Sequence, residues 1–392
     1  MFRFLTAGES HGPGLTIVLE GIPAGVTITE DNIKVDLQRR QKGFGRGGRM
    51  KIEKDHAIIR SGVRHGISLG SPISLWIENK DYSNWLEAMS PYPVDDSVDK
   101  KAFTKIVPGH ADFAGALKYK QHDLRNVLER ASARETTARV AAGSLCKSIL
   151  ALLGIEIRSR VISIGEVNSP SDNDLSKVNW DLVEDSEVRT DLKNIEQKFI
   201  ETIKLAKKNR TTTGGVFQVV GFNVPVGLGS FSQWDRKLDG KIAQAMMSIN
   251  AVKGVEIGNG FANTKKPGNE VHDVVVPDKK DIRNFKHISN HAGGLEGGVT
   301  NGESIIINVA IKPIATMTNP LPSVDINTGE IVEAQYNRSD ICQVPPACVI
   351  GEAMLALVLA EAVLEKFGGD HIDEMMTNFS NYQKTHKEFG TS

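Results

Sequence analysis

Between Arg39 and Arg49 the chain carries Arg39, Arg40, Lys42, Arg46 and Arg49 with no acid among them. A guanidinium is a planar fork of donors that matches phosphate and carboxylate, so a concentrated basic, glycine-rich loop suits a small, multiply anionic ligand. A solvated basic loop has the same composition. The stretch GFGRGG (43–48) fits G-x-G-x-x-G. A dinucleotide fingerprint must follow a buried strand, open a helix and be followed about 20 residues later by an acid. Here VDLQRRQK precedes, RMKIEKD follows, and residues 63–68 hold no acid, so that reading is rejected.

Two histidines sit among small residues, His11 in GESHG (8–12) and His110 in PGHAD (108–112). Imidazole can donate to phosphate or act as an acid near neutral pH, although a histidine taken singly is more often structural or exposed. Neither shows metal-ligand spacing, and no metal site is expected. Arg130 and Arg134 flank the start of a long helical pattern, where free N–H groups add to an anion site. Arg338-Ser339-Asp340 stands before a second long helix, and the run Lys312, Pro313, Ile314, Ala315 and Thr316 follows a strand directly. Routine capping and salt bridging explain any one of these, but less readily all of them.

The elements that must position these residues have clear signals. Leu15–Leu19, Ile73–Ile77, Val216–Val220 and Ser304–Ile311 are β-branched and apolar and read as strands. One helix is expected over Ser132–Leu153, opened by a capping box Ser132-Ala-Arg-Glu135 and closed by Gly154. Another is expected from about Cys348 to Phe367, after Pro345-Pro346 and before Gly368-Gly369. A weak repeat links VLEGIPAGV (18–26) to VVGFNVPVGLG (219–229) and GISLGSPISLWI (66–77) to GVTNGESIIINV (298–309). It fits two pseudo-equivalent halves of one domain, or else two ordinary α+β domains. Residues 165–210 hold ten acids and eight bases and read as a peripheral charged excursion, with an amphipathic helix at Leu192–Lys208. The tail after Asp373 (374–392) is polar and expected to be loosely held.

Lys plus Arg number 47 and Asp plus Glu 48, a net charge of −1 that argues against binding nucleic acid by bulk charge. With 40% hydrophobic and 24% charged residues the chain is globular, and with only 6% aromatics its core must be aliphatic. Cys146, Cys342 and Cys348 form no C-x-x-C pair, so neither a disulfide framework nor a zinc ribbon is expected. The N-terminus lacks a signal-peptide run, and the longest apolar stretch, Met354–Leu364, contains Glu361 and is shorter than the roughly 20 residues a bilayer needs. A soluble, cytoplasmic, reduced protein is expected. The residues alone give an enzyme or binder of a multiply anionic small molecule, and no reaction type.

The motifs GESHGPGL, RRQKGFGRGGRM, PGHADFAGALKY, RASARETTARVAAG, INAVKGVEIGNGF, NHAGGLEGGVTNGE, KPIATM and YNRSDICQVPPACVIGEAM closely resemble the chorismate synthase family, in its longer bacterial form. The resemblance runs from residue 6 to about 365, weakest over 155–213; Ala131 stands where many relatives have Ser. It implies an α+β, β-α-β sandwich: helices between two antiparallel sheets, an internal pseudo-twofold repeat, one domain over 1–392, and a homotetramer. It implies 1,4-anti elimination of phosphate from 5-enolpyruvylshikimate 3-phosphate, giving chorismate, with reduced FMN and no net redox change. It assigns catalysis to His11 (proton to the departing phosphate), His110 (proton at the flavin edge) and Asp340 (relay of the substrate C6 proton through flavin N5). Substrate binding falls to Arg40, Arg46, Arg49, Arg134 and Arg338. FMN binding falls to Arg130, Ala131, Ser132, Asn250, Ala251, Gly297, Lys312, Pro313, Ile314, Ala315, Thr316 and Arg338. Arg40 and Arg46 match positions linked to NADP, and NADPH enters as an indirect reductant. Two alternatives are a bifunctional form that reduces its own flavin with NADPH and a non-catalytic flavin or phospho-ligand binder. No membrane partner is implied.

Overall fold

The computed structural model describes residues 1–47, 54–170, 174–281, 283–336 and 339–388; Arg49 and Arg338 lie outside the described residues. In the first half β1 (Arg3–Ala7) and β2 (Gly14–Glu20) lead into α1 (Glu30–Gln41), then β3 (Ala57–Ser61) and β4 (Ile73–Glu78). Two short helices follow, α2 (Asp112–Tyr119) and α3 (Arg125–Ala131), before the long α4 (Thr136–Leu152). The second half runs β5 (Glu156–Ile164), α5 (Trp180–Asp185), α6 (Lys193–Lys208), β6 (Gly215–Phe222), α7 (Leu238–Met247), β7 (Val252–Ile257), β8 (Ile305–Ile311), α8 (Val344–Phe367) and α9 (Ile372–Glu388).

Alternation decides which strand face turns inward. Leu15, Ile17 and Leu19 of β2, Ile73, Leu75 and Ile77 of β4, and Ile305, Ile307 and Val309 of β8 are fully buried. One antiparallel sheet has the order β1-β2-β4-β3. The other has β5-β6-β8-β7, with the two-residue strand Val167–Asn168 added outside β5. Helices α1, α4, α7 and α8 fill the space between them: α4 packs on β2, α8 on β5 and β6, and the two long helices on each other. Their crossing is tight, since a Cβ at Gly143 of α4 would lie 2.5 Å from Ala353 Cα of α8.

The two sheets repeat one topology, and a pair of buried hydroxyls marks the equivalence. Ser68 Oγ donates to Pro23 O at 2.6 Å and accepts from Val26 N at 2.9 Å. Thr300 Oγ1 donates to Pro225 O at 2.6 Å and accepts from Leu228 N at 2.8 Å. Each hydroxyl staples the turn after the second strand to the hairpin before the fourth. One contiguous buried cluster draws residues from both halves.

Four expectations change. Ser132 caps a 3₁₀ turn (Ala133–Glu135) by accepting from Arg134 N at 3.2 Å, and Glu135 turns to Thr6 Oγ1 and Arg139 instead of closing a capping box; α4 proper starts at Thr136. The second helix starts at Val344 and takes both prolines into its first turn, where their missing N–H groups are not needed. It has 24 residues, and its most apolar 18-residue window, of mean hydropathy 2.1, is apolar enough to cross a membrane, but 89% of that window is buried in protein. The tail is not loose up to Glu388: α9 buries Met375 and Phe379, and Phe367 meets Phe379 edge-on at 5.2 Å.

The excursion at 165–210 is charged but not peripheral. The amphipathic helix is present as α6, with Ile195, Phe199, Ile203 and Ala206 on its buried face. Glu184 and Arg189 from the same stretch enter a buried ion network. Glu352 of α8, wholly inaccessible, takes both guanidinium nitrogens of Arg39 at 2.7 and 2.8 Å, Lys147 Nζ at 2.7 Å and Ser159 Oγ at 2.6 Å. Arg39 also bonds Asp36 at 2.7 Å and Glu184 at 2.5 Å; Arg189 bonds Glu184 at 2.6 Å. Three cations face three acids, so the network is balanced. Burial opposes charge on Glu352, but Arg39, Lys147 and Arg189 hold its carboxyl well below the ordinary range.

Candidate active site

The repeat places the N-terminal ends of α4 and α8 on the same side of the molecule, with the loops that follow β4 and β8 beside them. Most predicted site residues lie on this rim. Arg40 ends α1, and Arg134 lies in the turn before α4; both are buried. Arg40 Nη2 donates to Thr136 Oγ1 and to the Ala133 carbonyl, each at 2.9 Å, and its Nε donates to Thr136 Oγ1 at 3.2 Å. Arg134 bonds Asp55 Oδ1 at 2.5 Å and Asn79 Oδ1 at 2.9 Å. Arg46 in the basic loop bonds Asp340 Oδ2 at 2.5 Å, and Gly47 N donates to Asp340 Oδ1 at 2.6 Å.

Burial disfavours charge on Arg40; Asp55 opposes that, but Arg46 and Arg134 add to it, and its pKa is lowered. A guanidinium does not give up its proton at physiological pH, so this marks poorly compensated positive charge. Arg40 Nη1 is buried without a hydrogen bond among the described residues, 3.7 Å from Asp55 Oδ2.

His11 sits in the turn between β1 and β2. Its Nδ1 lies 2.9 Å from Glu129 Oε1, its backbone N–H donates to Glu129 Oε2 at 2.8 Å, and its ring stacks on Trp85 at 4.1 Å. Arg125 Nη1 bonds the same Glu129 oxygen at 2.9 Å. Burial raises the Glu129 carboxyl, but the bonds from His11 and the charges of His11 and Arg125 leave it below the ordinary range. His110 is partly buried, with Nδ1 3.9 Å from Asp112 Oδ1 and no hydrogen bond at that nitrogen among the described residues. Burial lowers its pKa, Asp112 opposes that and Lys312 adds to it, so the imidazole is neutral near pH 7.

The remaining expected residues join these two histidines. Ser132 Oγ donates to Ser10 Oγ at 3.2 Å, next to His11. Asn250 Nδ2 donates to Ala131 O at 2.9 Å, and Lys312 N donates to Ala251 O at 2.9 Å. Lys312 Nζ reaches Gly109 O at 2.5 Å, beside His110, and Ser339 Oγ donates to Thr316 O at 2.9 Å, beside Asp340. Asn79 Nδ2 donates to the carbonyls of Glu9 and Gly12 and so ties Arg134 back to the His11 turn. The contacts close on themselves, bringing the Lys312–Thr316 run, Asp340, Arg46, Arg40, Arg134, His11 and Asn250 onto one rim.

Arg130 reaches back to β1, bonding Thr6 O at 2.8 Å and Gly8 O at 3.0 Å. A cavity of about 500 Å³ opens beside it, lined by Phe4, Thr6, Arg130, Ala131, Arg139 and Asn250 among others. Gly297 is not on the rim. It lies in the hairpin Leu295–Glu296/Val299–Thr300, which precedes β8, whereas Lys312 follows β8. Seven residues of strand separate the two ends, roughly 20 Å at strand rise. Within one chain Gly297 and Lys312 therefore serve different places.

The chorismate synthase family profile matches residues 2–364. The chain belongs to the chorismate synthase family. It is 52% identical over 396 residues to a chorismate synthase of Aquifex aeolicus (99% of this chain, 98% of that protein). It is 51% identical over 390 residues to one of Sulfurihydrogenibium sp. (98% and 99%). A chorismate synthase crystal structure superposes with TM-score 0.81 at 43% identity, covering 99% of both chains. These matches span the 165–210 stretch as well, so that stretch is shared with relatives. Membership of the chorismate synthase family makes the chain a phosphate-eliminating lyase, and a substrate carrying phosphate and carboxylates explains the arginine cluster.

Sequence reasoning missed Glu129, Asp55, Asn79 and Trp85. Glu129 had a local signal, since Arg125 precedes it by four residues on a helix. Asp55 and Asn79 had none; only the tertiary fold brings them to Arg134.

Proposed function

We propose that this chain converts 5-enolpyruvylshikimate 3-phosphate to chorismate and phosphate by 1,4-anti elimination, with reduced FMN and no net redox change. The observation that carries the reading is the convergence of Arg40 and Arg46, from the basic stretch, with Arg134, from the turn before α4, with a buried donor of Arg40 left over. Arg40, Arg46 and Arg134, with Arg49 and Arg338, orient the anionic groups of the substrate. His11, held by Glu129, delivers a proton to the departing phosphate. Asp340 accepts the proton lost from C6; substrate anions that draw off Arg46 free its carboxylate for that task. His110 is neutral by itself, and an anionic neighbour is what would let it hold and give a proton.

The residues expected at the flavin fit such a group. Asn250 Oδ1 and His110 Nδ1 are buried without hydrogen bonds among the described residues and would meet donors and acceptors on a polar ring edge. Arg130, Ala131, Ser132, Ala251 and the Lys312–Thr316 run frame the same place, with Arg338 expected to join them. Reduced FMN, if held there, would supply an electron-rich ring that eases phosphate departure with no net redox change. NADPH enters as the upstream reductant of FMN, with Arg40 and Arg46 matched to NADP-linked positions. Gly297 completes a flavin site only across subunits, in keeping with a homotetramer. The protein works in the cytoplasm, on a small molecule, without nucleic acid or membrane.

Anaerobic turnover with reduced FMN tests the reading. Release of phosphate with formation of chorismate is expected. Tight binding of both ligands without turnover would leave a binder, and turnover in air with NADPH and FMN alone would make the chain its own flavin reductase. Light scattering at micromolar concentration should give a tetramer; a clean monomer would remove it.

A further inference from the structure

We propose that the excursion is a positioning element: it grips the basic loop from outside and holds Arg46 over the site. This rests on the reading that Arg46 binds substrate. Phe44 N donates to Glu187 O at 2.8 Å, and the Phe44 ring packs on the core with Lys204 Nζ 5.8 Å from its centroid. Gly45 sits at φ +86°, and a Cβ there would come 2.8 Å from Ile203 Cγ2 of α6. On the other side Ile341 N donates to Gly45 O at 2.9 Å, and Asp340 takes Gly47 N and Arg46. The loop is thus clamped between the excursion and the residues before α8. The base of the loop is fixed from the same stretch, because Glu184 holds Arg39, the neighbour of Arg40 on the last turn of α1. An arginine on a glycine-rich loop is positioned only as well as the loop is, and misplacement by about 1 Å can cost a hundredfold.

Two variants displace the loop from α6 by different means: Phe44→Ala removes its packing, and Gly45→Ala pushes against Ile203. Phe44→Leu is the conservative control. In Phe44→Ala and Gly45→Ala the substrate KM should rise roughly 10- to 100-fold with kcat little changed, the pattern of lost ground-state binding. Hydrogen exchange at the Phe44 and Gly47 amides should quicken while α4 and α8 stay protected, and Phe44→Leu should restore both readouts. Unchanged KM with unchanged exchange would overturn the proposal, as would a loss of protection spread over α4 and α8. Arg46→Ala separates the two layers. If Arg46→Ala raises KM but the loop variants do not, the grip is wrong and the substrate reading stands; if Arg46→Ala leaves KM unchanged, both fall.

Discussion

His11 and Glu129 meet across 118 residues of chain: the ring Nδ1 lies 2.9 and 3.0 Å from the two carboxylate oxygens, and the backbone N–H donates to one of them at 2.8 Å. The carboxylate therefore fixes both where the imidazole is and how it is turned. Glu129→Gln keeps the shape and removes the charge that faces the imidazole. Turnover should fall with KM little changed. His11→Ala should lose the roughly 10²- to 10⁴-fold typical of general acid catalysis. A Glu129→Gln enzyme with unaltered turnover would show that the pair is only structural.

Arg46 and Arg134 should respond differently to truncation. Arg46→Ala removes a charge-assisted contact worth roughly 1.5–3 kcal/mol, or about 10–150-fold in KM, at little cost in melting temperature. Arg134→Ala strands the buried carboxylate of Asp55 and should destabilise by about 3–5 kcal/mol. The double variant Arg134→Ala/Asp55→Asn should recover much of that stability while KM stays high. Melting curves beside steady-state kinetics test this, and equal stability of the two single variants would contradict it.

Acid should loosen the excursion first. The Arg39 and Arg189 guanidiniums, outweighing burial, hold Glu184 down to about 2 against an ordinary 4.5, and Glu352 is also well below its ordinary value. A carboxyl depressed in the folded state adds stability fully above its unfolded pKa, and that stability is lost as pH falls toward the folded value. The melting temperature should therefore drop between pH 5 and pH 2 by the calorimeter. Glu184→Gln should melt lower at pH 7 and show a flatter slope in that window; a parallel curve would remove Glu184 from the effect.

The stapling hydroxyls make a matched pair. Ser68→Ala and Thr300→Ala each leave a buried N–H and a carbonyl short of a partner, a penalty of about 1–3 kcal/mol. Denaturant titration should give similar losses for both, and Thr300→Ser, which keeps the hydroxyl, should lose much less. Widely different losses for the two alanine variants would argue against equivalent roles.

The sequence by itself determined the elements and the chemistry carried along them. Strand alternation set the buried faces of β2 and β4; Gly154 and Gly368 set where the long helices stop; five cations without an acid announced an anionic ligand. These signals are local, so they survive without a fold. Motif resemblance added the family, and with it residues that composition could not rank. Tertiary structure alone decided the partners. Glu129 reaches His11, Asp55 and Asn79 reach Arg134, and Glu184 and Glu352 reach Arg39 across long separations, because two copies of one topology pack α4 against α8 and bring distant loops to one end. It also decided that the polar tail becomes α9 and that a charged excursion is a clamp. A helix there is stable because its few apolar residues find a core to cover, and no local pattern says whether such a core is within reach.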